Sequence, residues 1–466
     1  ARLARRALQR RRRHRRRAHG QMPRSVDMFT FDNHSSLAHR VRRAREEDDD
    51  SIENLAKYIE PPEMLTTTWH KAAALTFWAV NFYLWFAVIG KAFVPLGLYF
   101  TALVKSVFIT NLSDEYGPHA EQAGIVVMIY AWLLSAIFIY PTYCVFGPSV
   151  WLRYAFVAYI GWYLILDRRA PASGKRFIPL FRRLPFWRVL SEYFPVRLHV
   201  MSRKLDPAGN YLFGYHPHGI IGVGALLTFA TEATGFSCAF PGLDLRLLTL
   251  SLNFKFPFTR EVLLALGINA VSKESVITNL TRQPGASCAI VIGGAAEALD
   301  AKAGSATLTL ARRKGFVKMA LQTGASLVPV FAYGENAIFD QTIYPEDSRR
   351  RRFQLYCKQL IGVTPPAFYG RSLSKGLWRR LFGEVGVLPK REPIEVVVGQ
   401  PIAVPRISSP STEIIDEYHK KYCDALKDLY ETHRRAFHKL NRGHSSDDLL
   451  SDVLSRRDRL RAMQFR

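Results

Sequence analysis

Two histidines stand one residue apart at the end of an apolar, strand-like run, in the segment NYLFGYHPHGIIGVGAL (residues 210–226). A histidine with a pKa of about 6.5 can take a proton from a hydroxyl group at neutral pH, and glycines let a ligand approach the backbone. The pattern therefore indicates a general base at His216 or His218, with Pro217 holding the chain rigid between them. Two alternatives stay open from these residues alone: histidines that only bond within the core, and a metal site, although no cluster of further ligands lies nearby in sequence.

Further polar groups follow two later apolar runs. Glu297 comes just after AIVIGG, beyond a pair of glycines, where its carboxylate could orient an imidazole or a polar substrate group. The same position would suit a glutamate that only interacts with the dipole at the start of a helix. Glu335 and Asn336 follow SLVPVFAY (326–333), and α/β folds tend to bind ligands where their strands end. Both strand ends are therefore candidate positions for functional groups.

A basic cluster precedes a predicted helix in LARRKGFVKMALQTG. The charges of Arg312, Arg313 and Lys314 would combine there with the free backbone N–H groups of the helix start, an arrangement suited to phosphate groups. A solvated basic face would show the same sequence.

The segments that must position these residues alternate between strands and helices after residue 167. Short runs rich in β-branched and aromatic residues, bounded by Gly or Pro, predict strands at 210–215, 287–293, 326–333 and 394–402. Helices are predicted between them, ending at Gly267 and at Gly324, and a long helix is predicted over 411–440. Strands separated by helices predict an α/β layer structure.

Four apolar segments precede this region, at 72–90, 92–104, 123–140 and 154–166. The first and third approach the roughly 20 residues that a bilayer-spanning helix needs, so two spans are expected and four are open. Basic residues flank the segments on both sides, and the loop between them is slightly acidic. The positive-inside rule then places both flanks in the cytosol and predicts a transmembrane hairpin.

The composition limits the class of protein. The chain has 466 residues, of which 48% are hydrophobic, and this excludes a wholly disordered chain. The net charge of +25 is unevenly distributed along the chain. We interpret the arginine-rich residues 1–20 as a solvated tail rather than a site for nucleic acid, anionic lipid or targeting machinery. Five scattered cysteines without a Cys-x-x-Cys pair predict neither a zinc site nor a disulfide framework, and fit free thiols in a reducing compartment.

The order of these motifs resembles the type-2 diacylglycerol acyltransferase family, which includes monoacylglycerol and wax-alcohol acyltransferases. The resemblance runs from about residue 125 to about residue 440. It is carried by YFP (193–195), HPHG (216–219), FPFTRE (256–261), GGAAEAL (293–299), RRKGFVKMAL (312–321), VPVFAYGEN (328–336) and GR (370–371), and it includes the C-terminal segment YHKKYCDALKDLYETHR (418–434).

The resemblance implies the fold and the organisation of the chain. We expect an α/β, glycerolipid-acyltransferase-like cytosolic domain with a mixed sheet flanked by helices, over residues 167–440. A transmembrane hairpin region at 72–166 would anchor it, between a basic tail and linker at 1–71 and a C-terminal tail at 441–466.

The resemblance also implies roles for the histidines and the carboxylate. His218 is expected to be the catalytic base, because some branches of the family read Glu-Pro-His and keep only the second histidine, and His216 becomes its neighbour. The wider superfamily places an aspartate five positions after its histidine, but Ile221 and Val223 stand there in this chain. Glu297 is therefore our candidate for orienting the base or the substrate hydroxyl.

Substrate-binding residues follow from the same resemblance. The backbone from Gly219 onward is expected to stabilise the oxyanion, and Glu335 and Asn336 to contact substrate. The phosphates of coenzyme A are expected to bind a set of four basic residues, Arg260, Arg312, Arg313 and Lys314.

The implied reaction transfers an acyl group from acyl-CoA to the free hydroxyl of diacylglycerol and yields triacylglycerol. Monoacylglycerol or a fatty alcohol as acceptor is the alternative, and a non-enzymatic membrane or lipid-droplet anchoring protein is the alternative of another class. We expect acyl-CoA, diacylglycerol and membrane lipids as partners, no nucleic acid, no metal and no cofactor beyond acyl-CoA as co-substrate; the oligomeric state is left open. The expected location is the endoplasmic reticulum membrane, multi-pass, with the lipid droplet as a second location.

Overall fold

The computed structural model describes most of the chain after residue 140. The described residues are 57–59, 126, 129, 133, 136–137, 140–147, 149–201, 205–361, 364–371, 388–442 and 464–465. The apolar segments predicted at 72–90 and 92–104 lie outside the described residues, as does most of the segment at 123–140, so the predicted hairpin remains a prediction.

Twelve strands occur in the described residues. They are β1 (Lys57–Ile59), β2 (Val196–Val200), β3 (Tyr211–His216), β4 (Asp244–Thr249), β5 (Asn269–Ala270), β6 (Ala286–Val291), β7 (Thr307–Leu308), β8 (Ser326–Tyr333), β9 (Asp340–Thr342), β10 (Ala367–Tyr369), β11 (Ile394–Val398) and β12 (Gln464–Phe465).

The helices lie mainly between the strands. They are α1 (Tyr140–Phe146), α2 (Val150–Ile165), α3 (Ala170–Ser173), α4 (Pro179–Arg182), α5 (Pro185–Tyr193), α6 (Val223–Phe229), α7 (Phe236–Ala239), α8 (Thr259–Ala265), α9 (Lys273–Leu280), α10 (Gly294–Ala298), α11 (Gly315–Thr323), α12 (Arg349–Ile361) and α13 (Thr412–Arg442). Two 3₁₀ turns add Ser251–Lys255 and Glu335–Ala337.

Eight strands form one sheet in the order β1-β2-β11-β8-β3-β6-β4-β5. The five from β8 to β5 run parallel, whereas β11 is antiparallel to β8 and parallel to β2, and β1 is antiparallel to β2. The predicted mixed α/β sheet flanked by helices is confirmed. Because β3, β6 and β8 are parallel neighbours, the residues that follow them meet at one edge of the sheet.

Strand β3 is buried on both faces, which explains why its sequence is apolar throughout. Successive side chains point to opposite faces of a strand. On one face Phe213 contacts Phe229 of α6, with ring centroids 5.8 Å apart. On the other face Gly214 and His216 lie against Tyr422 of α13.

Helix α13 has 31 residues and packs on the sheet through aromatic rings. The rings of Tyr333 in β8 and Tyr430 in α13 stack at 5.8 Å with an interplanar angle of 9°, and Phe331 contacts the same ring at 4.8 Å. Burial of one such ring stabilises the fold by about 1.5–3 kcal/mol. This packing fixes α13 beside β3 as well, since β3 is the next strand after β8.

Helix α2 contains the fourth predicted apolar segment. It has 16 residues, and the Ser149 side chain caps it by accepting a hydrogen bond from the Leu152 N–H at 3.3 Å. No helix among the described residues combines the length and the apolar character that crossing a bilayer requires.

Candidate active site

The chain after β3 lies beside the residues that follow β6 and β8. The Glu297 carboxylate accepts a hydrogen bond from the His218 N–H at 2.7 Å through one oxygen and from the Thr309 N–H at 2.8 Å through the other. Glu297 is buried, and burial raises the pKa of its carboxyl group, against the effect of the two N–H donors. It therefore holds the backbone of His218, and the imidazole itself has a different partner.

The His218 imidazole is partly exposed. Its Nδ1 lies 3.0 Å from the carbonyl oxygen of Gly219, and because a carbonyl only accepts, Nδ1 carries the proton of the neutral ring. Burial lowers the pKa of His218, so the ring is neutral at pH 7. Its Nε2 then presents a lone pair that has no hydrogen-bond partner among the described residues.

His216 has the opposite environment. It is fully buried, and its Nε2 lies 3.1 Å from the Tyr422 hydroxyl, which donates its own proton to the Gly214 carbonyl at 3.0 Å. The hydroxyl must therefore accept from Nε2–H, which fixes the tautomer of His216. Burial lowers the pKa of His216 to about 3. A hydroxyl-bonded ring without solvent contact is suited to holding the loop in place.

Two glycines allow these close approaches. A Cβ atom on Gly214 would lie 2.0 Å from the Tyr422 oxygen, so only glycine admits the hydroxyl to the strand. Gly219 has φ of +62°, and a Cβ there would lie 2.8 Å from Cγ of Glu335. The glycines on either side of the histidines thus admit Tyr422 and Glu335 to the motif.

Glu335 is fully buried and holds the start of α6. One carboxylate oxygen accepts from the Val223 N–H at 2.8 Å, and the other accepts from the Gly224 N–H at 2.9 Å and the Tyr215 hydroxyl at 2.6 Å. Burial raises the pKa of Glu335 to about 7. These partners already occupy both oxygens that we predicted would contact substrate.

The loop between Gly219 and Gly222 has free donors. Among the described residues none accepts a hydrogen bond from its backbone N–H groups, and the first N–H that is bonded is that of Val223. The oxyanion site predicted from Gly219 onward thus has donors available beside His218.

The basic residues divide into two groups. Arg313 lies near Gly294, in the segment of Glu297, and Arg312 lines a cavity of about 390 Å³ together with Ala296 and Thr309. Lys314 forms an ion pair with Asp416 at 2.6 Å. Two members of the cluster are therefore close to the segment that holds His218.

Arg260 lies in a different setting. Its guanidinium group is buried and bonds to Asp167 at 2.6 Å and to Glu261 at 2.8 Å. A phosphate group could bind there only by displacing these carboxylates. Asn336 donates to the carbonyl of Ser305 at 3.1 Å.

A model of the diacylglycerol acyltransferase family matches residues 143–443 of this chain. The chain belongs to this family. Diacylglycerol O-acyltransferase 2 of Dictyostelium discoideum is 42% identical over 310 residues, which cover 66% of this chain and 91% of that protein. Diacylglycerol O-acyltransferase 2A of Umbelopsis ramanniana is 41% identical over 345 residues, covering 72% and 94%. The predicted family and enzyme class, diacylglycerol acyltransferase, are confirmed.

Two further proteins resemble this chain, one closely in sequence and the other only weakly in structure. Human acyl-CoA wax alcohol acyltransferase 1 is 40% identical over 303 residues, which cover 65% of this chain and 88% of that protein. The crystal structure of the 1-acyl-sn-glycerophosphate acyltransferase PlsC from Thermotoga maritima matches 67% of this chain and 97% of its own, at 11% identity and a TM-score of 0.31. That structural likeness is too weak to bear on the fold of this chain.

No group of three His, Cys, Asp or Glu side chains within the described ranges is arranged to hold a metal ion. The residues that sequence reasoning missed are Tyr422 and Thr309. Tyr422 belongs to the C-terminal segment of the resemblance, but nothing in the sequence connects a tyrosine on α13 with a histidine 206 positions earlier.

Proposed function

We propose that the chain transfers the acyl group of an acyl-CoA to the free hydroxyl of diacylglycerol, with His218 as general base. The observation that carries this proposal is the state of His218: a neutral ring with Nδ1–H bonded to the Gly219 carbonyl and Nε2 free to accept a proton. A base in this state contributes a factor of about 100 to 10,000 to proton-transfer steps.

In the proposed reaction the acceptor hydroxyl gives its proton to Nε2 of His218 while its oxygen attacks the thioester carbon. The N–H groups from Gly219 to Gly222 stabilise the oxyanion of the tetrahedral intermediate. The intermediate then breaks its C–S bond, and the leaving thiolate of coenzyme A receives the proton from His218. One ester forms, one thioester breaks, and the imidazole returns to its neutral form.

Glu297 is the proposed positioning residue for His218. Because its carboxylate joins the His218 N–H to the Thr309 N–H, it connects the catalytic loop with the wall of the 390 Å³ cavity. Arg312 lines that cavity and Arg313 lies nearby, which supports coenzyme A phosphates on this side of the site. Arg260 and Lys314 have carboxylate partners and fit this role less well.

The proposed location is the endoplasmic reticulum membrane, multi-pass, with the catalytic domain on the cytosolic side and the lipid droplet as a second location. The apolar segments before residue 140 support it. Helix α2 supports it as well, because Trp151, Tyr154 and Val157 are exposed to solvent although they are large and apolar or aromatic.

The test is product formation by membranes that contain the chain, supplied with labelled oleoyl-CoA and, separately, diacylglycerol, monoacylglycerol or a fatty alcohol. Triacylglycerol from the unmodified chain and none from His218→Ala is the expected result. A wax ester as the main product would favour the second acceptor class, which the wax-alcohol relative supports. Full activity of His218→Ala would contradict the assignment of the base.

A further inference from the structure

Helix α12 presents an unpartnered apolar face to solvent. Phe353, Tyr356 and Leu360 are 61%, 59% and 69% exposed. They stand at positions i, i+3 and i+7, so they lie along one side of the helix. Isolated exposed apolar residues are common, but three large ones in a line form a surface that favours an apolar or interfacial environment.

The opposite side of α12 is fixed to the domain. Arg351 is buried and forms an ion pair with Asp300 at 3.0 Å, and Gln354 is buried and donates to the Pro365 carbonyl at 2.8 Å. These two bonds set the rotation of the helix about its axis. The apolar face therefore points outward as a consequence of this packing.

The charges of α12 are unusual for a helix. Its sequence, RRRRFQLYCKQLI, has four arginines at the start and no acidic residue. Cations in the first turn oppose the helix dipole, and they also repel one another. Within the described part of the chain Arg349, Arg350 and Arg352 have no carboxylate partner; Arg350 lies 5.3 Å from the ring of Tyr344. Contact with an anionic surface would offset this unfavourable charge at the start of the helix.

We propose that α12 lies in the interface of an anionic membrane surface, with Phe353, Tyr356 and Leu360 at the boundary between the lipid headgroups and the acyl chains. Arg349 stands on the same side of the helix, Arg350 and Arg352 flank it, and all three contact lipid phosphates. An interfacial helix has this division between an apolar side and a basic margin. Each arginine near an anionic surface strengthens binding about five-fold.

The charges favour lipid over a second copy of this chain. Two copies docked through this face would place their arginines against each other, whereas anionic headgroups neutralise them. The helix also reaches the interior, because Arg351 and Leu355 line the 390 Å³ cavity with Ala296 and Thr309. The docked helix would thus hold that cavity at the membrane surface. The inference rests on exposure and charge, and it does not depend on the proposed reaction.

The test is a fluorescent bimane label on the full chain in vesicles. Cys238 and Cys357, which are at least partly exposed, are first replaced by serine. Single cysteines are then introduced as Tyr356→Cys or Leu360→Cys, with Lys420→Cys at an exposed position of α13 as the control. Quenching by brominated lipid tails reports insertion, and quenching by aqueous iodide reports exposure. The vesicles are phosphatidylcholine with or without about 30 mol% phosphatidylserine.

In the anionic vesicles we expect several-fold stronger quenching by brominated lipid at 356 and 360 than at 420, with protection from iodide. Removing three charges by Arg349→Gln, Arg350→Gln and Arg352→Gln should abolish most of that difference. A matched variant, Lys318→Gln, Arg406→Gln and Lys427→Gln, removes the same charge from other exposed positions and should leave the quenching unchanged.

Three results would overturn the proposal. The labels at 356 and 360 could respond like the label at 420 in membrane-bound protein. They could be protected from iodide in detergent without lipid, which would indicate a protein partner or a second copy. Insertion could also be equal without phosphatidylserine and with all three arginines removed. None of these readouts measures acyl transfer, so a failure of the proposed reaction would be seen separately.

Discussion

His216 and His218 are separated by one proline, yet the structure gives them opposite surroundings. The ring of His216 is enclosed and bonded to a hydroxyl from α13, whereas the ring of His218 is partly exposed and keeps one nitrogen free. Each is also supported by a different distant segment, Tyr422 for the first and Glu297 for the second. The difference shows that two histidines of one short motif can have different roles, one structural and the other as the candidate base.

Substitution of His218 tests the difference between the two histidines most directly. We expect His218→Gln to lower kcat by about 100- to 10,000-fold, because glutamine keeps a donor for the Gly219 carbonyl but cannot act as a base. Triacylglycerol formation at saturating oleoyl-CoA measures the loss. The unfolding midpoint should change little, since the ring is partly exposed. A large loss of stability with activity retained per folded molecule would assign His218 a structural role.

The second-largest loss of activity is expected at Glu297, which holds the backbone of His218. In Glu297→Gln one oxygen becomes an NH₂ group that faces an N–H donor, so one of the two bonds to His218 and Thr309 is replaced by a repulsive contact. A bond from a backbone N–H to a charged group contributes about 1.5–3 kcal/mol. We therefore expect a loss of stability of that order and a roughly 10- to 100-fold lower kcat.

A control separates the effect on His218 from loss of stability alone. Glu297→Asp keeps the charge but shortens the side chain, so it should recover part of the activity if the carboxylate positions the loop. An equal loss of stability in both variants, with kcat per folded molecule unchanged from the unmodified chain, would contradict a positioning role for Glu297.

A smaller loss of activity is expected at Tyr422, whose hydroxyl bonds to the ring of His216. Tyr422→Phe leaves the Nε2–H of His216 without a partner and removes one donor to the Gly214 carbonyl. The unpaired buried N–H costs about 1–3 kcal/mol of stability. We expect about a 10-fold lower kcat with an unchanged KM for oleoyl-CoA, because the loop loses an anchor outside the substrate site.

Tyr333→Phe is the matched control for Tyr422→Phe. Its hydroxyl also joins the sheet to α13, donating to the Tyr430 carbonyl at 2.7 Å, but away from the histidines. Both variants should lose stability, and only Tyr422→Phe should lose kcat. Equal kcat in the two variants would show that Tyr422 does no more than attach the helix.

The sequence predicted the parts of this site that depend on local patterns. Residues 326–333 form a strand with the predicted bounds, and the predicted helix at 411–440 is observed at Thr412–Arg442. Parallel strands then explain why residues after β3, β6 and β8 meet. The contact between Tyr422 and His216 could not be predicted, because it depends on how a distant helix packs across the sheet.

Strands β2 and β4 of the main sheet are among those that were not predicted, because polar and charged residues interrupt their apolar pattern. In β2, Arg197 and His199 bond to Glu395 of the neighbouring β11 at 2.9 and 2.7 Å. In β4, Asp244 and Arg246 form an ion pair. The pairs with Glu395 form only after β2 and β11 have come together, so a search for apolar runs does not detect β2.

The smallest effect on the reaction concerns the pH dependence of stability. Burial raises the pKa of Glu335 from 4.5 to about 7, so between these values the folded chain holds a proton that the unfolded chain has released. The stability contributed by this group therefore falls as pH rises from about 5 to about 8, by about 2 kcal/mol. His216 acts in the other direction: burial lowers its pKa to about 3, so its contribution is lost as pH falls below about 6.5.

Glu335→Gln isolates the first of these two slopes. The variant cannot titrate at this position, so the difference in unfolding free energy between the unmodified chain and Glu335→Gln should change steadily from pH 5 to pH 8, in favour of the unmodified chain at low pH. Denaturant unfolding of the solubilised chain, followed at several pH values, measures that difference. Because His216 titrates in both proteins, its contribution cancels. A difference that stays constant over this range would mean that the donors from Val223, Gly224 and Tyr215 keep Glu335 ionised in the folded chain.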